Sequence, residues 1–202
     1  MCKYYVGGAI FGTIEGHVYV FAGENYYLLE NSSCSPGYPN KIRDDWGHDA
    51  PISIDAAVLR KDDGYIYLFK GSKYWRYDSN KTLQPRYPKN IEDHFPGIPN
   101  NIDAAFEWGE NGKLYFFKGQ QYWKFDPDSP QYANETKYPR PNSDWGLPDN
   151  IDAAVQWKDN HTYFFKGRKY YRLDDEKFEV AESDQESNMT YTFPCCAGKH
   201  MM

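Results

Sequence analysis

The sequence predicts an all-β fold, a single four-bladed β-propeller whose four-stranded blades carry short outer helices. Three observations lead there: a repeated segment, strand-forming residues inside each repeat, and glycines at hairpin positions. The segment is clearest as Asp55-Ala56-Ala57-Val58, Asp103-Ala104-Ala105-Phe106 and Asp152-Ala153-Ala154-Val155, with a degenerate first copy at Gly8-Ala9-Ile10-Phe11. Successive copies start 47, 48 and 49 residues apart, and 50 residues follow Asp152. Four units therefore consume the 202 residues. A period near 50 with strand-type residues marks a radial array in which one repeat cannot bury both of its faces alone. The predicted blades run over about 8–50, 51–99, 100–148 and 149–194 of one domain, 1–202.

Within a unit the elements follow in order. The Asp-Ala-Ala segment opens an inner strand, where small side chains let four strands crowd around one axis. Residues 65–69 (Tyr-Ile-Tyr-Leu-Phe) and 113–117 (Lys-Leu-Tyr-Phe-Phe) read as second strands, rich in β-formers. Gly71 and Gly119 sit in hairpin connections that need positive φ. Residues 74–77 and 122–125 read as third strands that alternate a buried aromatic with an outward cation. The stretches after Tyr38-Pro39, Tyr87-Pro88 and Tyr138-Pro139 are expected to hold a short outer strand and a one-turn helix, proline suiting a first helical position. Pro141 is expected to weaken that helix in the third unit, and the fourth unit lacks the ending. The aromatic residues, 18% of the chain, read as interblade core rather than as a ligand platform.

Composition excludes several classes. No run of 18 apolar residues exists to span a membrane. A net charge of −6 with scattered Lys and Arg leaves no nucleic-acid footprint. His-Glu-x-x-His, Gly-x-Ser-x-Gly, a phosphate-binding loop and Cys-x-x-Cys are all missing, so no enzyme is expected. The paired acids Asp44-Asp45 and Glu92-Asp93 read as solvated helix faces. His17, His48, His94, His161 and His200 offer no ligand spacing for haem. Met1 is followed directly by Cys2-Lys3-Tyr4-Tyr5, without the pattern of a signal peptide. Five Asn-x-Ser/Thr sequons, at Asn31, Asn80, Asn134, Asn160 and Asn188, nevertheless point to secretion and glycosylation. So do four cysteines placed at the two ends: Cys2, Cys34, Cys195 and Cys196. The chain is read as a secreted, extracellular segment separated from its targeting sequence.

The repeats resemble the hemopexin-like family. Pro36-Gly37-Tyr38-Pro39 to Trp46-Gly47 and Arg86-Tyr87-Pro88 to Gly97-Ile98-Pro99 are closest in wording to vitronectin and then to the hemopexin-like domains of matrix metalloproteinases. The resemblance implies a central channel into which inner strands aim backbone carbonyls at calcium, with sodium or chloride as further occupants. By motif position the metal-facing carbonyls are those of Gly8, Asp55, Asp103 and Asp152, with a second layer at Ile10, Ala57, Ala105 and Ala154. Carbonyl oxygens suit a hard cation. The competing reading is that each Asp side chain caps neighbouring backbone amides and no ion is needed. The resemblance also implies a ring-closing disulfide from Cys2 to Cys195 or Cys196, Cys34 taking the other.

The expected function is a secreted, non-catalytic binding module for extracellular protein or matrix partners, with a structural cation in the channel. The alternative is the C-terminal exosite domain of a matrix metalloproteinase. A haem or polyamine carrier ranks behind both. No Arg-Gly-Asp or long basic insertion is present to bring in vitronectin-type adhesion or heparin binding.

Overall fold

The computed structural model describes residues 8–13, 15–30, 33–126, 137–157, 159–174, 179–180 and 187–188. The first blade holds β1 (Ile10–Gly12), β2 (Val18–Ala22), β3 (Asn25–Glu30), β4 (Ser33–Cys34), β5 (Asn40–Lys41) and a one-turn helix, α1 (Ile42–Asp45). The second holds β6 (Ala56–Leu59), β7 (Ile66–Lys70), β8 (Lys73–Tyr77), β9 (Lys89–Asn90) and a 3₁₀ turn over Ile91–Asp93. The third holds β10 (Ala104–Trp108), β11 (Lys113–Lys118), β12 (Gln121–Phe125), β13 (Arg140–Pro141) and a 3₁₀ turn over Asn142–Trp145. The fourth holds β14 (Ala153–Gln156), β15 (Thr162–Lys166), β16 (Lys169–Asp174), β17 (Glu179–Val180) and β18 (Ser187–Asn188).

Every blade is an antiparallel meander running outward from its inner strand. Ala9 faces Phe21, and Ala56, Ala104 and Ala153 pair with Phe69, Phe117 and Phe165, so the repeat is preserved down to register. Gly23, Gly71, Gly119 and Gly167 turn the hairpins between second and third strands at φ of 59–62°, a conformation costly for any residue with a Cβ.

Three expectations about the outer edge change. Pro39, Pro88 and Pro139 follow cis peptide bonds and precede the outer strands; the helical turns begin later, at Ile42, Ile91 and Asn142. Pro141, expected to weaken the third turn, lies before it: as its N-cap it stays extended at ψ 142° and leaves a four-residue 3₁₀ turn to Asn142–Trp145. The fourth blade is also completed at its edge. Ser187 and Asn188 pair with Tyr170 and Lys169, as Lys89 and Asn90 pair with Tyr74 and Lys73. The third-strand pattern is corrected too: Arg76 lies on the same side as buried Tyr74 and folds over the rings of Tyr65 (4.3 Å) and Tyr87 (5.1 Å).

The core consists of the seams between blades. Phe69, Phe95, Phe116 and Phe125 join blades two and three; Phe106, Phe117, Trp145 and Phe164 join three and four. Phe11, Phe21, Trp46 and Tyr77 join one and two. The last seam, between blades one and four, is made by Ile10, Val18, Leu29, Val155 and Phe165, with Cys34 against it. Aromatic pairs across the seams meet edge to face, as Phe69–Phe116 at 5.5 Å and Phe117–Phe164 at 5.4 Å. The strand-borne aromatics are thus interblade core, as expected.

Candidate functional site: the axial channel

β1 lies beside β6 and β14, and β10 lies beside the same two, so the four inner strands form a closed ring about one axis. Each is paired on one side only. In an antiparallel ladder successive residues face the partner and away from it by turns. Since the Ala9 carbonyl accepts from Phe21 N–H at 2.8 Å, the backbone groups of Ile10 face the axis. Such groups require partners.

The channel has two unequal ends. Its wide mouth, about 590 Å³, is lined by Gly8, Asp55, Asp103 and Asp152 together with Asn101 and Asn150. Its narrow end, about 30 Å³, is lined by Ile10, Ala57, Ala105 and Ala154 together with Lys61, Glu107 and Gln156. Both residue layers named from the sequence therefore line the axis, but they border different spaces.

The aspartate side chains have a structural task of their own. Asp55 accepts from Gly71 N–H at 2.8 Å, Asp103 from Gly119 N–H at 2.7 Å and Asp152 from Gly167 N–H at 2.5 Å. Each ties an inner strand to the hairpin of its own blade. Asp55 also takes the Lys70 ammonium at 2.7 Å. Blade one lacks this aspartate for a steric reason: a Cβ on Gly8 would come within 2.0 Å of the Phe21 carbonyl oxygen. Asp55 has both oxygens engaged, whereas the ties to Gly119 and Gly167 each use one oxygen of Asp103 and Asp152, so carboxylate oxygen as well as backbone carbonyl can face a cation at the mouth. A ring of backbone with one free edge per strand fits such a hard cation. Among the described residues no three His, Cys, Asp or Glu side chains cluster as a metal site.

A second polar cluster was not foreseen. Lys81, on the loop after β8, reaches over blade one with its Nζ 4.9 Å from the Tyr26 ring centre, 5.4 Å from Tyr19 and 5.8 Å from Trp46. The same Nζ donates to the Tyr26 hydroxyl at 2.9 Å, and that hydroxyl donates to Asp45 at 2.5 Å. Asp45 also accepts from Asn40 at 3.0 Å, so it is engaged rather than merely solvated. The Tyr26 bond holds its carboxyl below the usual range, opposed by partial burial and aided by Asn40 and Lys81. Burial pushes the Lys81 ammonium down, and burial with the Asp45 bond pushes the Tyr26 phenol up. Asp78 accepts from the N–H of Asn80 and of Thr82, a turn that presents Lys81 at φ 62°.

Asn80 and Asn160 are exposed in turns and Asn188 lies in β18, whereas Asn31 and Asn134 fall outside the described residues. Cys34 is disulfide-bonded. Cys2, Cys195 and Cys196 lie outside the described residues, as does His200. No helix among the described residues is long and apolar enough to cross a membrane.

The Hemopexin family profile matches the chain four times, over residues 11–47, 54–100, 102–149 and 151–188. Among solved structures, a protein described as a 2S albumin from Dolichos seed superposes with a TM-score of 0.77, at 21% identity over 95% of this chain and 97% of its own. The hemopexin fold protein CP4 from cow pea gives 0.76, at 23% identity over 95% and 96%. A plant lectin from Cicer arietinum, described as having two metal binding sites, gives 0.75, at 23% identity over 98% and 99%. At these identities the likeness is one of fold. No curated protein matches the chain.

Proposed function

The chain belongs to the Hemopexin family, and from that premise we propose that it is a secreted, non-catalytic binding module with a structural cation, calcium, at the mouth of its channel. The observation that carries the cation is the mouth itself: three aspartates and four inner-strand starts border one open space of about 590 Å³. Carbonyls of Gly8, Asp55, Asp103 and Asp152 are the oxygens that would hold it, and its charge would be balanced by Asp103 and Asp152, Asp55 being already paired with Lys70 at the mouth. The described metal sites of the Cicer lectin are consistent with this reading. Extracellular protein, matrix or carbohydrate is the partner class that fits a module built of four loop-bearing blades. A ligand held at 100 times its dissociation constant adds about 2.7 kcal/mol to the native state. Thermal melts in calcium and in chelator should therefore differ by several degrees, and coincident curves would remove the cation. Pull-down from extracellular fluid with the glycosylated protein identifies the partner.

A second reading draws on the size of the mouth, which exceeds what one monatomic ion fills. An extended organic polyamine would fit the same carboxylate-bordered space. Calorimetric competition between calcium and a polyamine separates the two readings.

A further inference from the structure

At the narrow end of the channel a cation that the chain supplies reaches from one blade to the opposite one. Lys61, exposed at the end of the blade-two inner segment, sends its Nζ to the Gln156 side-chain oxygen of blade four at 2.7 Å. Blades two and four face each other across the ring, so this bond spans the axis. The Lys61 backbone N–H meanwhile donates to Glu107 of blade three at 3.0 Å. Glu107 is 7% exposed and borders the same 30 Å³ space as Ile10, Ala57, Ala105 and Ala154. Burial pushes its carboxyl up, against the pull of the Lys61 N–H and ammonium. A space of this size holds one water or one monatomic ion. Its polar lining offers a buried carboxylate, a carboxamide oxygen and inner-strand carbonyls, oxygen groups of the kind that hold a hard cation. The ammonium argues against a metal there, because it already takes the Gln156 oxygen and would repel a second positive charge.

We propose that Lys61 is a built-in substitute for a second channel ion: it blocks the narrow end, so that a metal cation enters and binds only at the aspartate mouth. The proposal rests on the cation reading of the mouth and adds the residue that sets stoichiometry. Removing the ammonium while keeping the backbone should uncover a second site made by Glu107 and Gln156.

The test is calorimetric titration of the full chain with Ca²⁺, repeated with Tb³⁺ luminescence, on wild type, Lys61→Met, Lys61→Gln and the double variant Lys61→Met/Glu107→Gln. Circular dichroism and melting of each variant establish that it is folded. The expected result is one equivalent for wild type, two for both single variants, and one again for the double variant. One equivalent throughout leaves the mouth site standing and overturns the role of Lys61, and so do two equivalents in wild type. No binding by wild type but one equivalent in Lys61→Met removes the mouth site and supports the role of Lys61. Absence of binding in every protein overturns both.

Discussion

The Lys81 ammonium of blade two donates to the Tyr26 hydroxyl of blade one at 2.9 Å, and this is a bond across a seam. It is set among three aromatic rings, so it combines cation–π attraction with a hydrogen bond and covers the outer end of the first interface. Lys81→Met keeps the aliphatic stem and removes the charge. Its expected cost is about 1 kcal/mol, or a melting temperature lower by about 2–4 °C for a chain of this size. Urea unfolding of the variant beside wild type measures it.

The same cluster gives a pH dependence. The carboxyl of Asp45 is held below its ordinary value chiefly by the Tyr26 hydroxyl. A carboxylate depressed in the folded state contributes stability that is present above its unfolded pKa and is lost as pH falls through the lower folded one. Wild type should therefore lose stability on acidification below about pH 4, and Tyr26→Phe should flatten that part of the curve. Urea midpoints at neutral and acidic pH provide the check; parallel curves would show that the bond does not report through Asp45.

Asp103 and Asp152 act on their own hairpins. Asp103→Ala or Asp152→Ala strands the N–H of Gly119 or Gly167 and should cost about 1–3 kcal/mol. The Asn variants keep an acceptor oxygen and should lose less. These losses should persist in chelator, which separates the hairpin tie from any ion.

Gly8→Ala tests the steric reason for the missing fourth aspartate. Its methyl would meet the Phe21 carbonyl oxygen at 2.0 Å, a backbone atom that cannot turn aside. Overpacking of this kind costs about 1–3 kcal/mol, visible as a lower melting temperature. An unchanged melt would mean that the first inner strand can shift outward freely.

How much of this was legible in the sequence follows from what repeats. The spacing of Asp55, Asp103 and Asp152 located the inner strands and the axis, because a motif that recurs in register marks a shared structural position. The hairpin glycines and the aromatic seams were legible for the same reason. The Lys81 and Lys61 contacts were not. Each joins two blades through a single copy of a residue, and distance along the chain hides which blade faces which. The cis prolines misled because proline suits both a helix start and a turn before an edge strand. The outer strand at Ser187–Asn188 was missed because no Tyr-Pro precedes it.

The disulfide proposal can be set against the packing. Cys34 lies against Leu29, Val155 and Phe165 at the seam of blades one and four. We expect non-reduced peptide mapping to join Cys34 and Cys2 each to one of Cys195 and Cys196. A Cys2–Cys34 link would break the argument. On protein from a eukaryotic source, glycopeptide mapping should show glycans at Asn80 and Asn160, whose exposed turns leave room for sugar.

The seam between blades one and four also decides the order of assembly. The other three interfaces join neighbours in sequence, whereas this one brings Ile10 against Val155 and Phe165. Contacts between residues so distant along the chain carry the largest loop-closure cost and slow folding. Synthesis from the amino terminus leaves the first blade with one apolar face unpartnered until the last blade exists. That face is Ile10, Val18 and Leu29, aliphatic side chains that meet Tyr163 and Phe165 of the last blade. The nascent chain thus waits with this aliphatic face open, and the ring becomes a hoop only in its final step.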